Sequence, residues 1–571
     1  MKVTRYRGIL LFIVILGFVL RIIGIGYGLP NFYHRDEQYY INMALGFGSG
    51  DFNPHIFENP PFASYLLFFL YGTYYVYLKL SGVVTIPSDF VELYLSDPSS
   101  FILIGRSFLG LLMGTISLPV IYLLGKKMFS KSVGLLAAFF LAVSALHVRD
   151  SHYACNNILL MLNILLFYLF LFQYIEMQRK KFFLGAAVFL GLAIGTKYNG
   201  ALLFLPALLA FIPFDGRDWP MKIKQALIFF SLSFAVYFLS NPFSIIALRE
   251  FIQSFSVQVA DEYPVGPWHH LAYSLYEGVG LGILLLSVIG IWRFLKEDKH
   301  WSQIILLVGT ALWYGVNIFF SQKYMRYTIP LLPCIYIFAA LGLQTLFDYR
   351  SRLFKVTAVT LVLILFGLQT AKTLKADYLS CQSDNRDMAR IWIEKNLPQE
   401  AVVAVPDWGP PLVQSEKQLR ERMKKWEELQ VINIRKEKEQ INLYKNKKLL
   451  TLQKKAQVAP KTFYLYLLYG KPSPPLVSKP EIILYDWREI RKHRVEYLVL
   501  DWSFPEEFGP NFLEEVNSKT RLLKLVSPYR NNKNSGRYDP HENTAGSLEN
   551  REVWYRLRYG DIIGIYRVNA Y

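Results

Sequence analysis

The run Ile9-Leu10-Leu11-Phe12-Ile13-Val14-Ile15-Leu16-Gly17-Phe18-Val19-Leu20 is apolar throughout, and His34-Arg35-Asp36-Glu37 follows shortly after its end. A run of this kind reads as a membrane helix. The acids after it are two carboxylates placed where such a helix meets water. Ionisable groups at that boundary often carry chemistry, although capping acids in a solvated loop look the same. A third acid lies close by in Phe57-Glu58-Asn59-Pro60-Pro61.

Working outward, the first helix is one of many. The chain of 571 residues is 53% hydrophobic and 16% aromatic, with a mean hydropathy of +0.23. That excludes an ordinary soluble enzyme and fits an α-helical polytopic membrane protein with a polar appendage. About eleven spans are expected, near 9–28, 101–124, 133–148, 157–176, 182–196, 200–214, 225–241, 276–295, 302–320, 327–347 and 354–371.

Six connecting segments each carry three Lys or Arg: the N-terminus, 125–132, 177–181, 215–224, 293–300 and 348–355. Short loops of the opposite set hold one or two, such as Arg149, Lys197 and Arg249. By the positive-inside rule the basic set is cytoplasmic, so the N-terminus lies inside and the C-terminal part outside the cell or inner membrane. If residues 61–80 crossed, Lys126-Lys127-Met128-Phe129-Ser130-Lys131 would face outward and every later loop would invert. Residues 29–100 are therefore read as one external loop, with an amphipathic helix near 36–47 and a second helix at 61–80 lying against the interface. The loop holds seven acids against two basic residues.

No small-residue cleavage site follows the first span, so it is expected to stay as an anchor. Cys155, Cys334 and Cys381 show no paired spacing, and neither a disulfide framework nor a metal cluster is expected. The net charge of +18 follows largely from the bias of the membrane loops, and no nucleic-acid partner is expected.

Residues 1–371 form the expected membrane domain, and 372–571 an extracytoplasmic α/β or α+β domain. The latter should hold a helix at 387–396 and strands at 401–405, 463–468, 497–501 and 562–568. Residues 412–459 lack Gly and Pro and read as a charged helical insertion; 529–550 reads as a polar loop.

Once the topology is drawn, polar exceptions gather at one face: Asp36, Glu37, Glu58, Arg106, Arg149, Asp150, His152, Lys197, Lys323 and Arg326. Single cations there often snorkel to head groups. Acids and cations gathered from distant loops suit another task, in which a carboxylate takes a proton from a nucleophile and cations stabilise a departing phosphate. No P-loop is present, and Gly24-x-Gly26-x-Gly28 lacks a Rossmann unit around it. An activated donor available outside should be lipid-linked, as in a sugar on a polyprenyl phosphate.

With these motifs in order, the chain resembles the GT-C membrane glycosyltransferases of family 39 type: protein O-mannosyltransferases, aminoarabinose transferases and lipopolysaccharide-core sugar transferases. The resemblance covers roughly residues 8–410. It rests on His34-Arg35-Asp36-Glu37, Phe57-Glu58-Asn59-Pro60-Pro61, Arg106-Ser107-Phe108-Leu109-Gly110, Gly191-Leu192-Ala193-x-Gly195-Thr196-Lys197-Tyr198 and Arg326-Tyr327-x-x-Pro330-x-x-Pro333. It implies Asp36 as general base, with Glu37 and Glu58 shaping the site. Arg106, Lys197 and Arg326 would hold the donor phosphate, and attack opposite it would invert the anomeric centre. Arg35, Asp150, His152 and Tyr198 are further site candidates.

The donor would be a polyprenyl-phosphate sugar and the acceptor a glycan, lipid or protein, with membrane lipids around both. No cofactor is required, although the acid cluster is of a type that can bind a divalent cation. Two positions depart from the family. Asn59 stands where the aminoarabinose enzymes have Lys, and Asn157 where many relatives have Asp. The competing reading is a lipid or sugar transporter or flippase, which would place charges at mid-membrane and often shows repeated halves. Neither trait is evident. The Trp-Trp-Asp-Tyr-Gly motif of oligosaccharide transferases is absent, and Asp407-Trp408-Gly409 is a partial echo of it.

Overall fold

The computed structural model describes residues 2–212, 219–258, 268–297, 300–319, 324–348, 352–431, 439–469, 480–503, 508–529, 548 and 550–569. Helices dominate the first two thirds, and a mixed sheet with flanking helices follows, as the composition leads one to expect.

Six helices among the described residues are long and apolar enough to cross a membrane. They are Ser99–Met128, Asn156–Met177, Trp219–Ser240, Trp301–Phe319, Met325–Asp348 and a segment beginning at Lys355; the bent pair His270–Gly278 and Leu281–Lys296 would make a seventh. The expected eleven thus included shorter pieces. Helix Lys131–Ala142 stops six residues before the expected end at 148, and its 12 residues reach about 18 Å of a core about 30 Å thick. Its stop has a cause in Arg21. The Arg21 guanidinium, buried in the first helix Lys2–Ile22, donates to the carbonyls of Leu141 and Ala142 at 3.1 Å and meets His147 Nδ1 at 2.8 Å. A cation on the last carbonyls is a C-terminal cap. The chain restarts at Ser144, whose hydroxyl accepts from the His147 backbone N–H and opens helix Ala145–Asp150.

The expected span at 200–214 is likewise broken, into a tight turn at Tyr198–Leu203 and the short helix Phe204–Leu209. The first loop matches its reading more closely. Its helices run Arg35–Gly46 and Phe62–Leu80, and the latter is not among the six.

Small residues set the packing near the site. A Cβ on Gly191 would lie 2.4 Å from the Ser233 carbonyl oxygen, and one on Gly195 2.1 Å from Ser240 Oγ. This Gly-x-x-x-Gly face lets helix Lys180–Thr196 lie directly on Trp219–Ser240. Gly110 plays the same part in Ser99–Met128, where a Cβ would sit 2.1 Å from the Ser151 carbonyl oxygen.

The sheet has strands β1 Val402–Pro406, β2 Tyr464–Tyr469, β3 Glu481–Leu484, β4 Tyr497–Asp501, β5 Thr520–Val526 and β6 Ile563–Val568. Their order is β3-β2-β1-β4-β6-β5; β3, β2, β1 and β4 run parallel, and β6 is antiparallel to both its neighbours. Strands β1, β2, β4 and β6 lie where the sequence placed them, whereas β3 and β5, the two edges, were not anticipated. The insertion contains helices Glu416–Val431 and Glu439–Val458. Most of the polar loop at 529–550 lies outside the described residues, as does Lys323.

The region after the last long helix Arg352–Ser380 touches the first loop directly. Asp384 accepts from the Tyr27 hydroxyl, and the Arg386 guanidinium lies 3.9 Å from the Tyr33 ring centre while donating to Asp384 Oδ1 at 2.8 Å.

Candidate active site

Helix Arg35–Gly46 presents Asp36 and Glu37 in its first turn, and adjacent helical residues point about 100° apart. The two acids meet different arginines. Glu37 is fully buried and accepts from Arg106 through both oxygens, Nε to Oε1 and Nη2 to Oε2, each at 2.7 Å. The backbone N–H of Ala154 adds a third bond at 2.9 Å. Arg106 is 1% exposed, and its Nη1 donates to the Ile25 and Tyr27 carbonyls at 2.7 Å. It sits in a π-helical turn, Arg106–Leu112, inside the span.

The sequence-based role for Arg106 as a phosphate holder therefore does not fit its surroundings. Its nitrogens are spent on Glu37 and two carbonyls, which pins the end of the first helix to the helix carrying Asp36.

Asp36 faces the other way. Its Oδ2 lies 3.2 Å from Arg326 Nη2, with side chains 35% and 13% exposed. Arg326 is in the turn Met325–Leu331, where its guanidinium lies 4.0 Å from the Tyr324 ring centre. Lys197 follows Thr196 at the end of helix Lys180–Thr196, which Asn156 fixes by donating to the Thr196 carbonyl at 2.9 Å. Lys197 Nζ donates to Asn157 Oδ1 at 3.3 Å and lies 4.5 Å from the Tyr327 ring centre. Burial, with Arg326 nearby, brings its ammonium down to about 8. Lys197 and Arg326 line one small cleft with Asn157, Asn199, Trp313 and Tyr327. Of these, Trp313 carried no sequence signal, being one aromatic residue inside an apolar run.

Asp150 is buried and held by Arg149, whose Nε and Nη2 lie 2.9 and 2.7 Å from its Oδ2. His152 is buried too; burial, with Arg106 and Arg21 nearby, pulls its imidazole down to about 4, which keeps it neutral. Its surroundings are those of a packed side chain. The Tyr198 ring packs edge-on against Phe251, 5.8 Å between centres. Glu58 is exposed, on the loop beside Tyr39. Arg35 opens the helix, but its side chain lies outside the described residues.

A possible cation site is formed by His34, Asp36 and Cys155, whose ligand atoms all lie within 4.8 Å of one another. The set suits a zinc-like ion in kind. The Arg326 guanidinium already on Asp36 opposes a second positive charge there.

Residues 104–245 match the family model of dolichyl-phosphate-mannose-protein mannosyltransferase. This match covers about a quarter of the chain and agrees in kind with the resemblance to GT-C membrane glycosyltransferases. The matched stretch holds Arg106, Asp150, Asn157 and Lys197, while Asp36 and Arg326 lie on either side of it. No curated protein matches the chain.

Among solved structures, ArnT from Cupriavidus metallidurans in the apo state is 11% identical with a TM-score of 0.49, covering 98% of both chains. The same protein bound to undecaprenyl phosphate is 12% identical with a TM-score of 0.45 and the same coverage. The Archaeoglobus fulgidus oligosaccharyltransferase is 12% identical with a TM-score of 0.45, covering 87% of this chain and 70% of its own. Six helices among the described residues are long and apolar enough to cross a membrane, and a C-terminal sheet region follows them.

Proposed function

We propose that this protein is a glycosyltransferase that moves a sugar from a polyprenyl phosphate to a glycan, lipid or protein acceptor on the extracytoplasmic face, with inversion and with Asp36 as general base. The observation that carries this reading is the half-open Asp36–Arg326 pair, whose arginine lines a small cleft together with Lys197. The charge bias of the loops supports a site on the outer side, with the N-terminus inside.

In the resting arrangement Arg326 occupies Asp36. A phosphate entering the cleft offers Arg326 a charged partner of its own. Asp36 is then released, and a carboxylate without its guanidinium is the stronger base. It takes the proton of the acceptor as the acceptor's lone pair attacks the anomeric carbon. The bond from that carbon to the phosphate oxygen breaks, and its electrons stay on the phosphate, where Arg326 and Lys197 stabilise the new charge. Glu37 and Arg106 hold the helix that aims Asp36. No step uses a metal.

The test is transfer from synthetic polyprenyl-phosphate sugars, followed as release of polyprenyl phosphate and as the anomeric configuration of the product. Wild type should give the inverted product. Retention of configuration would overturn the single-displacement reading.

A further inference from the structure

Asn157 stands between two charges of opposite sign. Its Nδ2 donates to Asp150 Oδ1 at 3.3 Å, and its Oδ1 accepts from Lys197 Nζ at 3.3 Å. Asp150 is anchored on its other oxygen by Arg149, and Arg149, Asp150 and Asn157 are all buried. Only one orientation of the amide serves both neighbours, nitrogen toward the carboxylate and oxygen toward the ammonium. A carboxylate at 157 would meet Asp150 as a like charge and Lys197 as a counter-ion. The amide instead gives Lys197 a fixed direction and no negative charge.

We infer that Asn157 is a positioning residue that aims Lys197 into the cleft while leaving its charge unneutralised, tuning the site to grip the phosphate product. This rests on the donor proposed above. A sugar phosphodiester carries one negative charge, and the departing monoester carries about 1.5 to 2 at neutral pH, by analogy with other phosphomonoesters. A neutral residue at 157 therefore matters most after the bond breaks. The groups that face Lys197 are Arg326, Asp36, Asp150 and Cys155, with the Tyr327 ring beneath it. Burial and Arg326 hold its ammonium near 8, so its charge is present below that pH and lost as pH rises through it.

The experiment is binding of polyprenyl phosphate to the purified full-length protein in lipid nanodiscs across pH 6 to 10 (a range of about four units). Wild type should lose affinity as pH rises through about 8. Asn157→Asp should weaken binding about tenfold at neutral pH, about 1.4 kcal/mol, and move the loss to higher pH. Lys197→Arg leaves the Asn157–Asp150 contact alone and should abolish the loss, because a guanidinium stays charged over the range. An unchanged pH profile in both variants overturns the role of Asn157. Wild type that binds no polyprenyl phosphate at any pH overturns the donor reading instead.

Discussion

Asp36 and Glu37 are neighbours in one helical turn, each with an arginine, and the two pairs differ in almost everything else. Glu37 and Arg106 meet through two bonds of 2.7 Å with both side chains sealed from solvent. Asp36 and Arg326 meet at 3.2 Å with the acid about one third exposed. The first pair joins two elements 69 positions apart in the chain. The second sits at the edge of a cleft with a further cation beside it. A sealed, saturated pair has no capacity left for a substrate. A looser pair can exchange partners, and so the acid that looks less secure is the one suited to chemistry.

The comparison can be broken most sharply at the sealed pair. Removing one partner strands a buried charge, so Arg106→Ala or Glu37→Ala should each cost about 3–5 kcal/mol of stability. Thermal unfolding in detergent would read this as a large drop in midpoint, and a midpoint within a degree or so of wild type would make the pair dispensable. Arg326→Ala should leave the midpoint nearly unchanged and lower turnover about 10²–10³-fold, the usual range for losing one donor to developing charge. Equal losses of stability from Arg326→Ala and Arg106→Ala would erase the distinction. The smallest effect is expected between the two regions. Gly110→Ala would press a methyl group onto the Ser151 carbonyl. Overpacking of that kind costs about 1–3 kcal/mol. It should also displace the segment leading to Asn157, seen as a raised KM for the donor with kcat less affected.

Much of this was legible in the sequence because its signals are local. The helix after His34, the central strands of the sheet and the clustering of Asp36, Lys197 and Arg326 all follow from period, charge and motif order. Edge strands β3 and β5 were missed for a physical reason. β3 has four residues, and β5 has no buried one, so neither carries the apolar pattern of a buried strand. The role of Arg106 was misread because a cation near the end of a span looks alike whether it faces a ligand or a buried acid. Its partner is distant in the chain, and only packing reveals it. The break after Ala142 was hidden in the same way, since Arg21 caps that helix from another one. Asn157 stands out in the sequence as a departure from the family it resembles, but its two partners, Asp150 and Lys197, are not legible there.

The central claim is that Asp36 performs chemistry and Glu37 holds structure. It is tested most directly by measuring sugar transfer and unfolding midpoint on the same preparations of Asp36→Asn and Glu37→Gln. Asp36→Asn should keep the wild-type midpoint and lose about 10²–10⁴-fold in transfer, the range expected for a general base, while Glu37→Gln should lose stability first. Transfer by a folded Asp36→Asn protein at near wild-type rate would contradict the account.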